Sequence, residues 1–145
     1  MMMNAADFAL ISAGAFLLFG MLTGCWKYKH MMQSESATAP YYVDICHRTS
    51  LMYSFACVVL QQLALASQWS NTVNLLAVVF PVVFFATAVF TYAVHGWLKD
   101  TDNQLERPHK LGSKELPSAS IHSYIFLLIA AEIGGVLVLM AGALK

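Results

Sequence analysis

Between Val73 and Trp97 the chain reads VNLLAVVFPVVFFATAVFTYAVHGW, without a single Asp, Glu, Lys or Arg. As a helix rising about 1.5 Å per residue, this stretch covers about 37 Å, more than the ~30 Å hydrocarbon layer of a bilayer. A helix on the surface of a water-soluble bundle carries a polar stripe every three or four residues. That stripe is missing here, so the segment predicts a membrane span. Working outward, three further stretches have the same character: Phe8 to Trp26, Thr49 to Ala66 and Ile121 to Leu144. Charged residues make up only 11% of the chain and hydrophobic residues 59%, so lipid is the expected solvent for the outer faces. The expected fold is an all-α integral membrane protein: one four-helix transmembrane bundle over residues 1–145.

Basic residues in the short loops set an expected orientation, because cytoplasmic loops retain Lys and Arg. Lys27, Lys29 and Arg48 flank the first loop (27–48), and Lys99, Arg107, Lys110 and Lys114 occupy the third (98–120). Only Lys145 falls on the other side. Both termini and the turn from Gln68 to Thr72 are therefore expected on the outer, periplasmic side, with loops one and three in the cytoplasm of a bacterial inner membrane. Trp26, Trp69 and Trp97 all fall at span ends, where indole rings sit at the head-group level. The N-terminal run lacks a basic leader segment, carries Asp7 and has its positive charges after the apolar stretch, so it reads as a retained first helix.

The remaining features exclude several classes. Net charge is zero and the basic residues of the third loop are matched by Asp100, Asp102, Glu106 and Glu115, which argues against nucleic acid as a partner. Cys25, Cys46 and Cys57 are odd in number and form no CxxC pair, so they are expected to be small buried hydrophobes rather than disulfides. The run from Asp100 to Leu111 starts like a calcium loop but lacks Gly at its sixth position and Glu at its twelfth, and is expected to be a solvated turn or helix cap. No phosphate-binding loop, nucleophile elbow or dinucleotide fingerprint is present.

The informative set is histidine. His47 opens the second span, His95 closes the third, His122 opens the fourth, and His30 and His109 lie in the two basic loops, so all five are expected at one membrane face. Tyr53, Tyr92 and Tyr124 follow within one or two turns on the same three helices, with Arg48 and Ser50 beside His47. Imidazoles at one depth can bind a haem axially, and a group of His, Tyr and Arg can hydrogen-bond a quinone carbonyl. Alternatively, His and Tyr sit at the interface as amphipathic side chains that bind nothing. No HxxxH or ExxH pair lies on one helix, so no metal centre is expected.

Deeper in the bundle, His47, Ser50, Ser54 and Gln61 recur on one side of the second helix, which should face inward. Glu132 lies about 16 Å from either boundary of the fourth span with no basic residue at its depth. Gln61 and Gln62 reach a similar depth and are expected partners for it. Gly20 with Gly24, Ala130 with Gly134 and Ala131 with Gly135 are small-xxx-small pairs that permit close helix approach, within the bundle or between protomers. Pro81 predicts a kink in the outer half of the third helix.

His47-Arg48-Thr49-Ser50, followed some fifty residues later by His95-Gly96-Trp97-Leu98-Lys99-Asp100, resembles the order of elements in cytochrome b subunits of succinate dehydrogenases. That resemblance implies Arg48 and Ser50 as quinone contacts and places His95 close to where the family has a haem ligand. The length, four spans and basic first loop leading to a polar start of helix two are similar to the MAPEG family of trimeric membrane proteins, implying a lipophilic substrate and a cytoplasmic thiol. The glutathione-binding signature of that family is missing after Arg48, so no catalytic residue carries over. The functional expectation is a small accessory or anchor subunit associating with itself, with lipids or with larger membrane subunits, and binding a quinone, haem or lipid-like ligand at the His/Tyr layer. Its rivals are a MAPEG-like enzyme and a purely structural subunit.

Overall fold

The computed structural model describes residues 3–145 as four long helices and one short hairpin. They are α1 (Ala5–Met32), α2 (Tyr41–Ala66), α3 (Asn71–Leu98), β1 (Lys110–Leu111), β2 (Lys114–Glu115) and α4 (Ser118–Ala143). All four helices are long and apolar enough to cross a membrane. Large apolar side chains such as Ile11, Leu22, Phe55, Phe90, Phe126 and Leu137 lie exposed around the outside. Such a surface suits lipid and not water.

Helix starts follow from local chemistry. Asn4 Oδ1 accepts from the Asp7 N–H at 2.8 Å, capping α1, and Ser70 Oγ accepts from the Val73 N–H at 3.4 Å at the start of α3. Extended prolines, Pro40 and Pro117, precede α2 and α4. The helices outrun the apolar stretches at one end of the bundle. α1 continues past Trp26 to Met32 and α2 begins at Tyr41, so the first connection is residues 33–40 and not 27–48. The reason is electrostatic as well as helical: Asp44 in the first turn of α2 binds Lys27 of α1 at 2.6 Å and Arg48 at 2.9 Å. An acidic residue in a first turn also suits the helix dipole.

α1 packs most extensively on α2, α3 fills the groove between them, and α4 lies against α3 with a smaller contact to α2. The glycines of α1 work inside the bundle: Gly20 faces Leu51 and Gly24 faces the His47 ring. At the centre, Tyr53 stacks on Phe85 at 4.0 Å between ring centroids, and Phe16 meets both edge-on. Cys46, Cys57, Leu60, Val78 and Leu139 complete the core. Cys46 and Cys57 are the buried hydrophobes expected, whereas Cys25 is exposed.

Two glycines of α4 bring it close to the rest of the bundle. α3 runs unbroken through Pro81, which has no N–H to offer the Ala77 carbonyl one turn earlier. Gly135 of α4 sits directly against that carbonyl and the Pro81 ring, leaving no room for a Cβ. Farther along, Gly142 abuts Ser67 and Trp69 of the α2–α3 turn, the Gln68 N–H donates to the Gly142 carbonyl at 3.0 Å, and Trp69 Nε1 donates to the Val138 carbonyl at 3.0 Å. Gly134, by contrast, meets nothing within 4 Å. Gly135→Val should therefore lower stability by about 1–3 kcal/mol through overpacking, and Gly134→Val should leave it nearly unchanged. Thermal unfolding of both variants in detergent checks this, and equal effects would refute the assigned contact.

Candidate functional site

The residues 99–117 fold back as a cap over the end of the bundle where the histidines gather. Its hub is Asp100, just beyond α3. One carboxylate oxygen takes a 2.8 Å hydrogen bond from His95 Nδ1 and the other a 2.6 Å bond from the Gly112 N–H. Both side chains of the His95–Asp100 pair are almost completely buried. Gly112 occupies the left-handed region at φ +61 and turns the hairpin, which pairs Lys110 with Glu115 and Leu111 with Lys114. The Tyr42 hydroxyl accepts from the Gln104 N–H at 2.6 Å, and the Leu116 N–H donates to the His109 carbonyl at 2.8 Å. Asp100 is thus a buried organising residue, not the solvated turn its sequence context suggests.

Burial works against the ionised form of Asp100, but the bonds from Gly112 and His95 outweigh it and hold the carboxyl below its ordinary value.

Beneath the cap lies a cavity of about 270 Å³ between α3, α4 and residues 104–116. Phe90, Val94, Leu105, Leu111, Leu116, Ile121 and Ile125 make it largely apolar, and Thr91, His95, Gln104, Lys110 and Tyr124 contribute polar groups. Gln104 Oε1 is buried with no hydrogen-bond partner, an uncommon state for an amide oxygen. The Tyr124 hydroxyl lies 2.9 Å from Thr87 Oγ1, which places this ring at the α3–α4 seam.

Of the residues anticipated as a layer, His95 and Tyr124 reach this cavity. Tyr92 lies behind it, stacked on Tyr42 with 5.7 Å between centroids, and Tyr42 in turn packs on His95 at 5.2 Å. The others are engaged elsewhere. His47 donates through Nδ1 to the Gly20 carbonyl at 2.8 Å and serves the α1–α2 contact. Arg48 is exposed and paired with Asp44. Ser50 is fully buried, donating to the Cys46 carbonyl at 2.6 Å within its own helix. Tyr53 belongs to the aromatic core. His122 is exposed and accepts a 3.3 Å hydrogen bond from Arg107.

Since His47, His95 and His122 each address a different neighbour, no two of them face one another as axial haem ligands do. Among the described residues no group of three His, Cys, Asp or Glu is placed to hold a metal ion. His109, buried with Nε2 unpartnered, lies close to His122, the ring centroids 6.4 Å apart.

Glu132 is half-buried on α4, its Oε1 enclosed and without a partner. It makes no hydrogen bond to Gln61 or Gln62; instead Tyr53 and Tyr92 lie within electrostatic range of it. Gln61 is half-buried and Gln62 exposed.

Sequence reasoning missed the contribution of the cap: Gln104, Leu105, Lys110, Leu111 and Leu116. One signal was present, since Lys110-Leu111 and Lys114-Glu115 are separated by Gly112-Ser113, a two-residue spacing with Gly first that favours a tight hairpin. Comparisons with protein-family models, with curated proteins and with solved structures yield no match for this chain.

The Asp100 hub generates a pH prediction. A depressed folded-state value means that the ionised carboxylate stabilises the cap above the ordinary carboxylate range, and that this contribution is lost as pH falls through the folded value, below ~4. Hydrogen exchange at the Gly112 amide, corrected for the intrinsic rate, should stay slow at neutral pH and accelerate in that acidic window. Asp100→Ala should remove the protection at all pH values, because a stranded buried donor costs about 1–3 kcal/mol.

Proposed function

We propose that this chain is an integral subunit of a bacterial inner membrane, with both termini outside and its capped end in the cytoplasm. There it binds a lipophilic molecule with a polar head, of the quinone type, in the cavity between α3, α4 and the cap. The observation that carries this reading is the cavity itself, apolar over most of its wall and supplied with an imidazole, an amide, an ammonium and a phenol. The orientation is supported by the concentration of Lys and Arg at the capped end.

Size narrows the ligand. At about 270 Å³ the space is just below the usual range of ligand sites, which run from ~300 Å³ upward. A ring or head group fits, while a long tail must leave along the lipid-exposed surface. Gln104 Oε1, an acceptor without a partner, suits a head-group hydroxyl such as a quinol's; the Gln104 amide N–H groups and the Lys110 ammonium suit a carbonyl or negative charge; and the Tyr124 hydroxyl, whose hydrogen goes to Thr87 Oγ1, offers a lone pair. His95 is held in one orientation by Asp100, so its role is to shape the wall and retain the cap. α4 leaves most of its apolar surface uncovered, which supports association with further membrane subunits or a second copy in an accessory or anchor role.

A benzoquinone with a decyl tail is a suitable probe. Purified protein in detergent should bind it, with Val94→Trp, which fills the cavity, abolishing binding and Tyr124→Phe weakening it by about twofold to twelvefold, the worth of one hydrogen bond. Equal binding by wild type and Val94→Trp would reject the site. Both variants leave the Asp100 hub intact, so protection of the Gly112 amide reports that the cap still folds.

A further inference from the structure

A second site is indicated at the corner where the C-terminal ends of α1 and α3 meet, on the side of the bundle away from α4. We propose that this corner binds the phosphate-bearing head group of an anionic phospholipid. A cleft of about 290 Å³ opens there, and its wall includes Trp26, Lys29 and His30 from α1 with Gly96, Trp97 and Lys99 from α3. No acidic side chain contributes to it.

The two lysines are uncompensated. Lys27, two residues before Lys29, pairs with Asp44 at 2.6 Å, but among the described residues neither Lys29 nor Lys99 takes part in an ion pair. Two helix C-termini converge on the corner and each brings roughly half a negative charge. Against two full ammonium charges, about one positive charge is left over, before any contribution from His30. That excess needs an anion, and at a membrane boundary the abundant anion is a lipid phosphate.

The shape of the cleft supports the same occupant. Gly96 has no side chain, so the Trp26 indole lies against the α3 backbone; a Cβ at this position would stand 3.0 Å from the Trp26 ring and 3.1 Å from Val43. Trp26 and His30 lie side by side, with 6.0 Å between ring centroids. Trp97 is largely exposed beside them. Indoles at this level pack against the glycerol and upper acyl region of a lipid while the lysines reach its phosphate. Lys99 adopts a left-handed backbone conformation at φ 51 and its N–H caps α3 through the His95 carbonyl at 2.7 Å, so the ammonium group is carried by a defined turn.

This inference rests on membrane insertion but not on the quinone-type cavity. Purified protein is mixed with equal amounts of phosphatidylglycerol and phosphatidylcholine in detergent, and bound lipids are counted by native mass spectrometry. Wild type should retain phosphatidylglycerol preferentially, and the double variant Lys29→Gln, Lys99→Gln should lose that preference by about thirtyfold. Lys114→Gln, on the hairpin and outside the cleft, should keep it. An unchanged ratio in the double variant, or an equal loss in Lys114→Gln, would overturn the site. Inorganic phosphate in tenfold excess should not displace the lipid; displacement would reassign the cleft to a small anion and reject the lipid. Flotation with phosphatidylcholine liposomes separates the two premises: a protein that fails to float refutes membrane insertion, whereas one that floats without lipid preference refutes only the head-group site.

Discussion

The carboxylate of Asp100, shared between an imidazole and a backbone amide, organises the capped end of this protein. A connection of this length has many conformations, and closing it over the bundle requires contacts that offset the lost chain entropy. Asp100 supplies two charge-assisted hydrogen bonds in a site from which water is nearly excluded, one inward to His95 and one onward to Gly112. The first ties the cap to α3, and the second holds the hairpin turn. Tyr42 adds a third tether from α2 through the Gln104 N–H. The cavity exists because the cap is held at these points above the α3–α4 seam and cannot collapse into it.

Elsewhere the bundle depends on missing side chains. Gly20 and Gly24 admit Leu51 and His47, Gly96 admits Trp26, and Gly135 meets a carbonyl that Pro81 leaves without its helical partner. Close backbone approach is the main source of cohesion where the surrounding solvent is as apolar as the side chains themselves. The pattern is uneven. α1, α2 and α3 interlock, while α4 is fastened through Gly135, through its C-terminal end and by the Tyr124–Thr87 hydrogen bond, and otherwise presents an apolar surface. The cavity lies at the other end of α4, where this helix has the fewest buried residues.

Polar groups within the helices divide by what they face. Ser50, Ser54 and Thr23 return their hydroxyl hydrogens to carbonyls of their own helices and so cost the bundle little. Glu132 has no such outlet. With one oxygen enclosed and unpartnered, and tyrosines nearby on α2 and α3, it is the least compensated group in the apolar interior.

Composition and spacing alone were enough for the fold. An uncharged run the length of Val73 to Trp97 has one stable form in lipid, because a helix satisfies its backbone hydrogen bonds internally, and four such runs make a bundle. The gathering of five histidines at one end followed from the same alternation of helix directions. Which of them meet did not. His47, His95 and His122 occupy equivalent positions along their helices, yet rotation about each helix axis sends one to α1, one to Asp100 and one to the surface. Rotation is decided by packing, through Gly24 for His47 and through Tyr42 for His95. The burial of Asp100, in a run that reads as a solvated turn or helix cap, has a related reason: an acidic residue in a polar loop is solvated unless the loop returns to the helix ends, and that return depends on contacts separated by up to 62 positions in the chain. Sequence determined the four long apolar helices and the end at which the histidines gather, since these depend on hydrophobicity and periodicity. Only tertiary structure decided which side chains share a cavity, because that depends on helix rotation and on the closure of the cap.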